Sequence, residues 1–201
     1  MLLSILYNFC LLLKENGESM MIKSPWTIWI TGLSGSGKTT ICKELRKIME
    51  NHGIKFDILR LDEVRQVITP NPQFTDSEKN MVYFSCGFIA NKLNEHGINV
   101  ILDSVDGKGE GRDVARKIIH NFYVISIDCP LEVCIQREKE RVDKAAIENL
   151  YERALMGQIR IAGVGYPYAE EDNPILKVSS SELSAEQAAQ KIFDDVISKA
   201  R

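Results

Sequence analysis

WTIWITGLSGSGKTT, residues 26–40, is the stretch whose reading decides the fold. Its first part, WTIWIT (26–31), is an apolar run of strand length, rich in β-branched and aromatic residues. Its second part, GLSGSGKT (32–39), fits the phosphate-binding pattern G-x-x-x-x-G-K-[ST] at every fixed position. It follows a strand and opens a helix, which is the context the pattern requires. Gly32, Gly35 and Gly37 let the backbone wrap a polyphosphate without Cβ clashes, and the helix start turns N–H groups toward the anion. Gly32, Leu33, Ser34, Gly35, Ser36, Gly37, Lys38, Thr39 and Thr40 are therefore the candidate ATP-binding residues. Within them Lys38 is the candidate catalytic cation at the β- and γ-phosphates, and the Thr39 hydroxyl a candidate Mg²⁺ ligand. As part of an exposed loop, Lys38 is expected to add little to the core.

Outward from this stretch, apolar runs of strand length alternate with segments of helical period. A helix over about 39–51 closes at Gly53, and KFDILRL (55–61) reads as a second strand. A short helix from Asp62 stops near Thr69, because Pro70 and Pro72 bracket an extended loop. Thr75 and Glu78 form a capping box that opens a long helix to about His96, ended by Gly97. NVILD (99–103) and FYVISID (122–128) are the third and fourth strands, with a helix over roughly 112–121 between them. Residues 131–160 are helical and charge-rich with a break at Gly157, ILKVSS (175–180) is a last strand, and Ser184 with Gln187 caps a C-terminal helix. This alternation implies an α/β P-loop fold, a parallel sheet of about five strands with helices on both faces. The expected organisation is a single domain over 22–201, with a helical lid over about 137–168.

A chain of 201 residues suits one domain and hides roughly 70% of the surface it exposes when unfolded, so it needs no disulfide or metal staple. Hydrophobic residues make up 44% and charged ones 26%, the profile of a soluble globular protein. The net charge of −3, from 25 basic and 28 acidic residues mixed along the chain, gives no footprint for nucleic acid. The five cysteines, Cys10, Cys42, Cys86, Cys129 and Cys134, form no C-x-x-C pair, and His52, His96 and His120 stand apart. Neither a zinc site nor a disulfide framework is indicated, and a reducing cytoplasm fits. Cys42 and Cys86 fall inside helical patterns, where packing is their expected role. The first thirteen residues, MLLSILYNFCLLL, are apolar but shorter than the ~20 that a bilayer span takes, and they lack a basic n-region. Two readings stand: an amphipathic arm packing on a neighbour, or, as favoured here, a true start at Met20 or Met21 that makes 1–21 an extension. No membrane partner is expected.

Beyond the loop, several charged residues are candidates with a structural alternative beside each. Asp103, ending NVILD, is either a second Mg²⁺ ligand or a strand-end cap. Asp62 ends the second strand, where it orients or deprotonates an acceptor hydroxyl, or caps the helix DEVRQVI, or both. Arg137 and Arg141 lie four apart on one helical face. Arg137 is a candidate to close over the ATP phosphates, whereas Arg141 is expected to pair with Glu138 and Glu140 on a solvated face.

From Trp26 to about Asn173 the chain resembles adenylyl-sulfate kinases, P-loop enzymes that phosphorylate the 3′-hydroxyl of adenylyl sulfate in sulfate assimilation. GLSGSGKTT looks like their loop, and DCPLEVCIQR (128–137) is similar to their D-x-P-L-E-V-C-x-x-R. LYERALMGQI (150–159), Gly163 and PYAEEDNP (167–174) look like their L-Y-x-x-A-x-x-G-x-I and Y-E-x-P-x-N-P segments. The acceptor side departs from the family. Where it has D-G-D-N-x-R, this chain has Arg60-Leu61-Asp62-Glu63-Val64-Arg65, so Asp62 and Arg65 carry over and Arg60 reverses the first aspartate's charge. Phe74 matches the phenylalanine that stacks on the substrate adenine; Lys79 stands for an arginine, and Ile161 for the second stacking aromatic. The family's I-S-P-Y loop reads Val105-Asp106-Gly107-Lys108, with Asp106 at its formal phosphoserine position. The resemblance implies a kinase using ATP and Mg²⁺, with Arg65, Phe74 and Asp106 around a nucleotide-type acceptor. A period of two puts Arg60 on the strand face of Asp62, where it either joins Arg65 around an anionic group of the acceptor or neutralises Asp62 as a structural ion pair. The alternative is a relative acting on another nucleotide-linked acceptor, as in surface-polysaccharide modification. The oligomeric state is open, a homodimer included.

Two other P-loop functions fit less well: a GTPase-type switch would carry N-K-x-D after a strand, and a non-catalytic sensor would lose Lys38 or the Mg²⁺ ligands. Neither departure is present. Because residues 1–21 precede the first strand and match nothing in the catalytic layout, a chain shortened to start at Met21 is expected to stay soluble and bind ATP. Thermal denaturation with and without ATP checks this. Aggregation or a lower melting temperature would make the apolar segment structural.

Overall fold

The computed structural model describes residues 24–141 and 147–200. The extension expected at 1–21, Cys10, and part of the expected lid lie outside them. Strand β1 (Thr27–Thr31) leads through the glycine-rich loop into helix α1 (Lys38–Asn51). Then follow β2 (Phe56–Arg60), α2 (Leu61–Ile68), α3 (Asp76–Glu95), β3 (Asn99–Asp103), α4 (Glu110–Ile118) and β4 (Phe122–Asp128). The remainder is α5 (Leu131–Lys139), α6 (Leu150–Leu155), the short strands β5 (Ile161–Ala162) and β6 (Gly165–Tyr166), β7 (Leu176–Ser179) and α7 (Ala185–Ile192). Both expected capping boxes are formed, by Thr75 with Glu78 and by Ser184 with Gln187.

One wholly parallel sheet of five strands runs in the order β2-β3-β1-β4-β7. Successive side chains of a strand point to opposite faces. Trp26, Ile28 and Ile30 face Ile41, Leu45 and Met49 of α1 and Ala188, Ala189 and Ile192 of α7. Trp29 faces the other way, with Val100 and Leu102 of β3, onto Val82, Tyr83, Cys86 and Ala90 of α3 and Ala115 of α4. Buried on both faces, β1 reads as a continuous apolar run rather than an alternating one. Each fully buried Leu, Ile or Val contributes roughly 1.5–3 kcal/mol. Cys42 and Cys86 are buried among these side chains, as expected of packing residues.

Four segments differ from the sequence expectation. The helix expected over 112–121 begins at Glu110 and ends at Ile118. Among the described residues of the charge-rich stretch 131–160 there are two short helices, α5 and α6, rather than one long element. Residues 161–166 hold a strand pair too short to leave a periodic signature, and after α7 the chain continues as a π-helical turn over Phe193–Ile197.

The early start of α4 comes from Asp106. Its carboxylate accepts hydrogen bonds from the backbone N–H groups of Gly111 (3.2 Å) and Arg112 (2.8 Å), two donors that a helix start leaves without partners. Asp106 is fully buried, and the Arg112 Nε lies 3.5 Å from it and 3.6 Å from Glu171. The same guanidinium donates to the Thr31 hydroxyl at 2.9 Å and to the Ala169 carbonyl at 2.7 Å. Asp106 is therefore a structural anchor joining the end of β1, α4 and segment 167–171, and the expectation that it binds substrate is corrected: it has no surface to offer. Removing one partner of a buried pair leaves an uncompensated charge, at about 3–5 kcal/mol. Arg112→Ala is thus expected to lower stability by about that much, a melting-temperature drop on the order of 10 °C for a domain of this size. Urea denaturation checks the value; a loss under about 1 kcal/mol contradicts the anchor.

Candidate active site

The phosphate loop is held from three sides. The Ser36 N–H donates to the Leu33 carbonyl at 3.1 Å, closing the turn, and the Lys38 ammonium donates to the carbonyls of Gly32 and Leu33, both at 2.9 Å. From the lid side, the Tyr151 hydroxyl of α6 donates to the Ser34 carbonyl at 2.8 Å. Gly35 has a φ of +78°, and a Cβ there would drive into the Cys134 carbonyl of α5, so only glycine fits this crossing. No side chain caps α1, which leaves its first N–H groups for an anion. Lys38 is buried rather than exposed, which corrects the loop-lysine expectation. Burial pushes its pKa down, against the opposing pull of the Asp103 and Asp62 carboxylates.

The Thr39 hydroxyl donates to Asp103 Oδ2 at 2.6 Å. Burial pushes the Asp103 pKa up, and the nearby Lys38 ammonium and the Thr39 hydrogen bond work against that rise. Thr39 and Asp103 thus bring a hydroxyl and a carboxylate together beside the loop. This donor set suits Mg²⁺, which takes one or two carboxylates and completes its shell with water and phosphate. Among the described residues no larger group of His, Cys, Asp and Glu side chains forms a metal cage.

Two hollows open around these residues. The first, of about 350 Å³, is lined by Gly35, Gly37, Lys38, Thr39, Thr40, Lys43 and Arg137. Arg137 is held there by the Ser180 hydroxyl (3.2 Å) and carbonyl (2.9 Å). The second, of about 90 Å³, is lined by Ser34, Asp62, Arg65, Phe74 and Ile161. Lys38, Thr39, Glu138 and Arg141 form a wall common to both. Phe74 enters the second hollow from a backbone with φ of +57°, a left-handed conformation that costs a non-glycine residue of order 1–3 kcal/mol.

Other sequence-predicted residues land differently. Arg60 lines neither hollow; its Nη1 bonds Glu63 at 2.9 Å and its Nε lies 3.9 Å from Asp103, so the expected acceptor contact is corrected. Asp106, in its buried anchor, also lies outside both. Asp62 is gripped by Arg65 at 2.7 Å and Arg141 at 3.2 Å. Arg141 pairs with Glu138 as expected, but it also crosses to Asp62 instead of lying on a solvated face. Lys79, Arg160 and Tyr166 of the second hollow went unassigned from the sequence. The Lys79, Lys108 and Arg160 charges surround the Tyr166 ring at 5.4, 5.7 and 6.0 Å, and the Lys79 ammonium bonds the Arg160 carbonyl at 2.8 Å. Only Lys79, at the family's arginine position, left a signal in the sequence.

Comparison with known proteins places this geometry. The family model for adenylylsulphate kinase matches residues 24–179. A probable adenylyl-sulfate kinase of Pyrococcus abyssi is 33% identical over 169 residues, covering 84% of this chain and 92% of that protein. A probable adenylyl-sulfate kinase of Pseudomonas aeruginosa is 31% identical over 175 residues, covering 86% of this chain and 78% of the relative. Among solved structures, the Mycobacterium tuberculosis APS kinase CysC, in complex with AMPPNP and APS, superposes with a TM-score of 0.75 at 26% identity, over 87% of this chain and 98% of that one. With its phosphate loop, its parallel sheet and a match through most of its length, the chain belongs to the adenylylsulphate kinase family.

Proposed function

We propose that the protein transfers the γ-phosphate of ATP to the 3′-hydroxyl of adenylyl sulfate, a step of sulfate assimilation. The observation that carries this reading is the shared wall. The hollow at the phosphate loop and the hollow at Asp62 meet at Lys38 and Thr39, where a phosphoryl group passes from donor to acceptor. Such transfer rests mainly on positioning and electrostatic stabilisation. The N–H groups of the loop and of the α1 start hold the phosphates, and the Lys38 ammonium leaves the Gly32 and Leu33 carbonyls for the transferring group. Thr39 and Asp103 would hold Mg²⁺, which when bound offsets phosphate charge. Asp62, fixed by Arg65 and Arg141, orients the acceptor hydroxyl. Arg137 lies over the donor side from its bonds to Ser180.

Segment 147–166 acts as a lid in this reading. It packs in small clusters of its own, Leu150, Ala154 and Ile159 with Phe74, Ile147 and Ile161, apart from the two faces of the sheet. The acceptor hollow of about 90 Å³ is well below the roughly 300 Å³ of a ligand pocket, so the acceptor enters when this segment lifts. A homodimer would cover the stripe of Met81, Phe84 and Phe88 on α3, which are 50%, 38% and 57% exposed. Among the described residues no helix is long and apolar enough to cross a membrane, and Cys42, Cys86, Cys129 and Cys134 are buried free thiols, which fits a reducing cytoplasm.

Incubation with ATP, Mg²⁺ and a panel of nucleotide-linked acceptors tests the reading, with adenylyl sulfate expected to be the preferred one. Lys38→Ala should then lose about 10²–10³ in kcat, by analogy with a lost oxyanion donor. Turnover of a different nucleotide-linked compound, with none of adenylyl sulfate, would transfer the assignment to that acceptor. The second expectation concerns Ile161, which shares the apolar cluster of Phe74 where the family has a stacking aromatic. A base–aromatic stack contributes ~1–3 kcal/mol, so Ile161→Phe is expected to lower the KM for adenylyl sulfate about tenfold while leaving the KM for ATP unchanged. Steady-state kinetics in both substrates decides it.

A further inference from the structure

Arg60 lines neither hollow. Its position has a different logic. In the parallel register of β2 on β3, Arg60 is the direct partner of Asp103, both at the strand ends that face the site. Its Nε lies 3.9 Å from Asp103 Oδ2, the same oxygen that accepts the Thr39 hydrogen bond at 2.6 Å. The Arg60 side chain is only 19% exposed and Asp103 only 6%, so water screens the pair weakly. The Nη1 of the same guanidinium donates to Glu63 Oε1 at 2.9 Å.

We propose that Arg60 is a resident cation for Asp103: its fixed positive charge shares the metal-site carboxylate and lessens the protein's dependence on Mg²⁺ for holding ATP. Two consequences follow from charge alone. Without a divalent ion, the Asp103 carboxylate stands close to the phosphate loop and repels a polyphosphate, and Arg60 offsets that repulsion. With the ion present, Arg60 opposes it, because a like charge faces the same carboxylate. Arg60 thus acts through Asp103 and touches neither nucleotide nor acceptor, which makes it a positioning residue. The inference rests on the proposed nucleotide site and is independent of the acceptor's identity.

The test reads ATP binding by the full chain, with no acceptor present, by titration calorimetry in EDTA and across a series of Mg²⁺ concentrations. Arg60→Gln is expected to weaken metal-free ATP binding and to lower the Mg²⁺ concentration of half-maximal effect, each by about threefold to tenfold, tenfold being about 1.4 kcal/mol. Arg60→Lys, which keeps the charge, should stay within about twofold of wild type in both, a window under about 0.4 kcal/mol. Glu63→Gln removes the competing carboxylate and should shift the Mg²⁺ half-point upward, which gives a second reading should Arg60→Gln fold poorly. An unchanged Mg²⁺ response in Arg60→Gln, a raised half-point in it, or a lysine variant that behaves like glutamine would each overturn the inference. A wild type that binds no ATP in either condition would instead overturn the proposed nucleotide site together with it.

Discussion

The parallel register of the three strands β2, β3 and β1 is the constraint on which the rest of the molecule depends. Asp103 is the register partner of Arg60 on one side and of Ile30 on the other, so three strand ends finish level at one edge of the sheet. The phosphate loop leaves from β1 at that edge, and α1 returns beneath the sheet with Thr39 in its first turn, within 2.6 Å of Asp103. A slip by one residue would turn Asp103 to the other face and drive Trp29 into the layer of α1. Core packing and site geometry are therefore settled by the same hydrogen-bond ladder.

Charge concentrates at that edge, and its arrangement keeps buried ions from being a liability. Asp62, Asp103 and Glu138 face Lys38, Arg60, Arg65 and Arg141, and every carboxylate has a cation within 4 Å or a hydrogen bond. A buried charge without such a partner costs several kcal/mol. Burial still pushes the Asp103 and Glu138 carboxyls up, so the site holds charge against its own desolvation. In the proposed function, that tension suits a surface that would receive the opposite charges of a metal ion and a polyphosphate. The Arg112 and Asp106 pair, which lines neither hollow, is the contrasting case, in which an ion pair joins elements of the fold.

The layers differ in how firmly they are fixed. The two faces of the sheet bury continuous clusters against α1, α7, α3 and α4. The segment after α5 leans on Phe74, Leu33 and Leu131 through small satellite clusters, and among the described residues the Tyr151 hydroxyl hydrogen-bonds the loop. Fewer apolar contacts per residue mean a lower free energy of local opening. In the proposed function, the satellite segment is the cover that would shield the transfer reaction from water.

From the residues alone, the phosphate loop was legible because its chemistry is local: glycines, a lysine and a threonine at fixed spacing between a strand and a helix. The strands of the parallel sheet and both capping boxes were legible for the same reason, since apolar periodicity and side-chain capping act within one turn or one strand. Partnerships across the chain were not legible. Asp106 read as an acceptor residue until Arg112, Thr31 and Ala169 closed around it, and Arg60 read as facing the acceptor until its register partner proved to be Asp103. Arg141 likewise joined Asp62, 79 positions away in sequence. A charged side chain carries no mark of which opposite charge will stand beside it. Only the packing of strands and helices sets those distances, and with them whether a charge becomes an anchor, a clamp or a ligand.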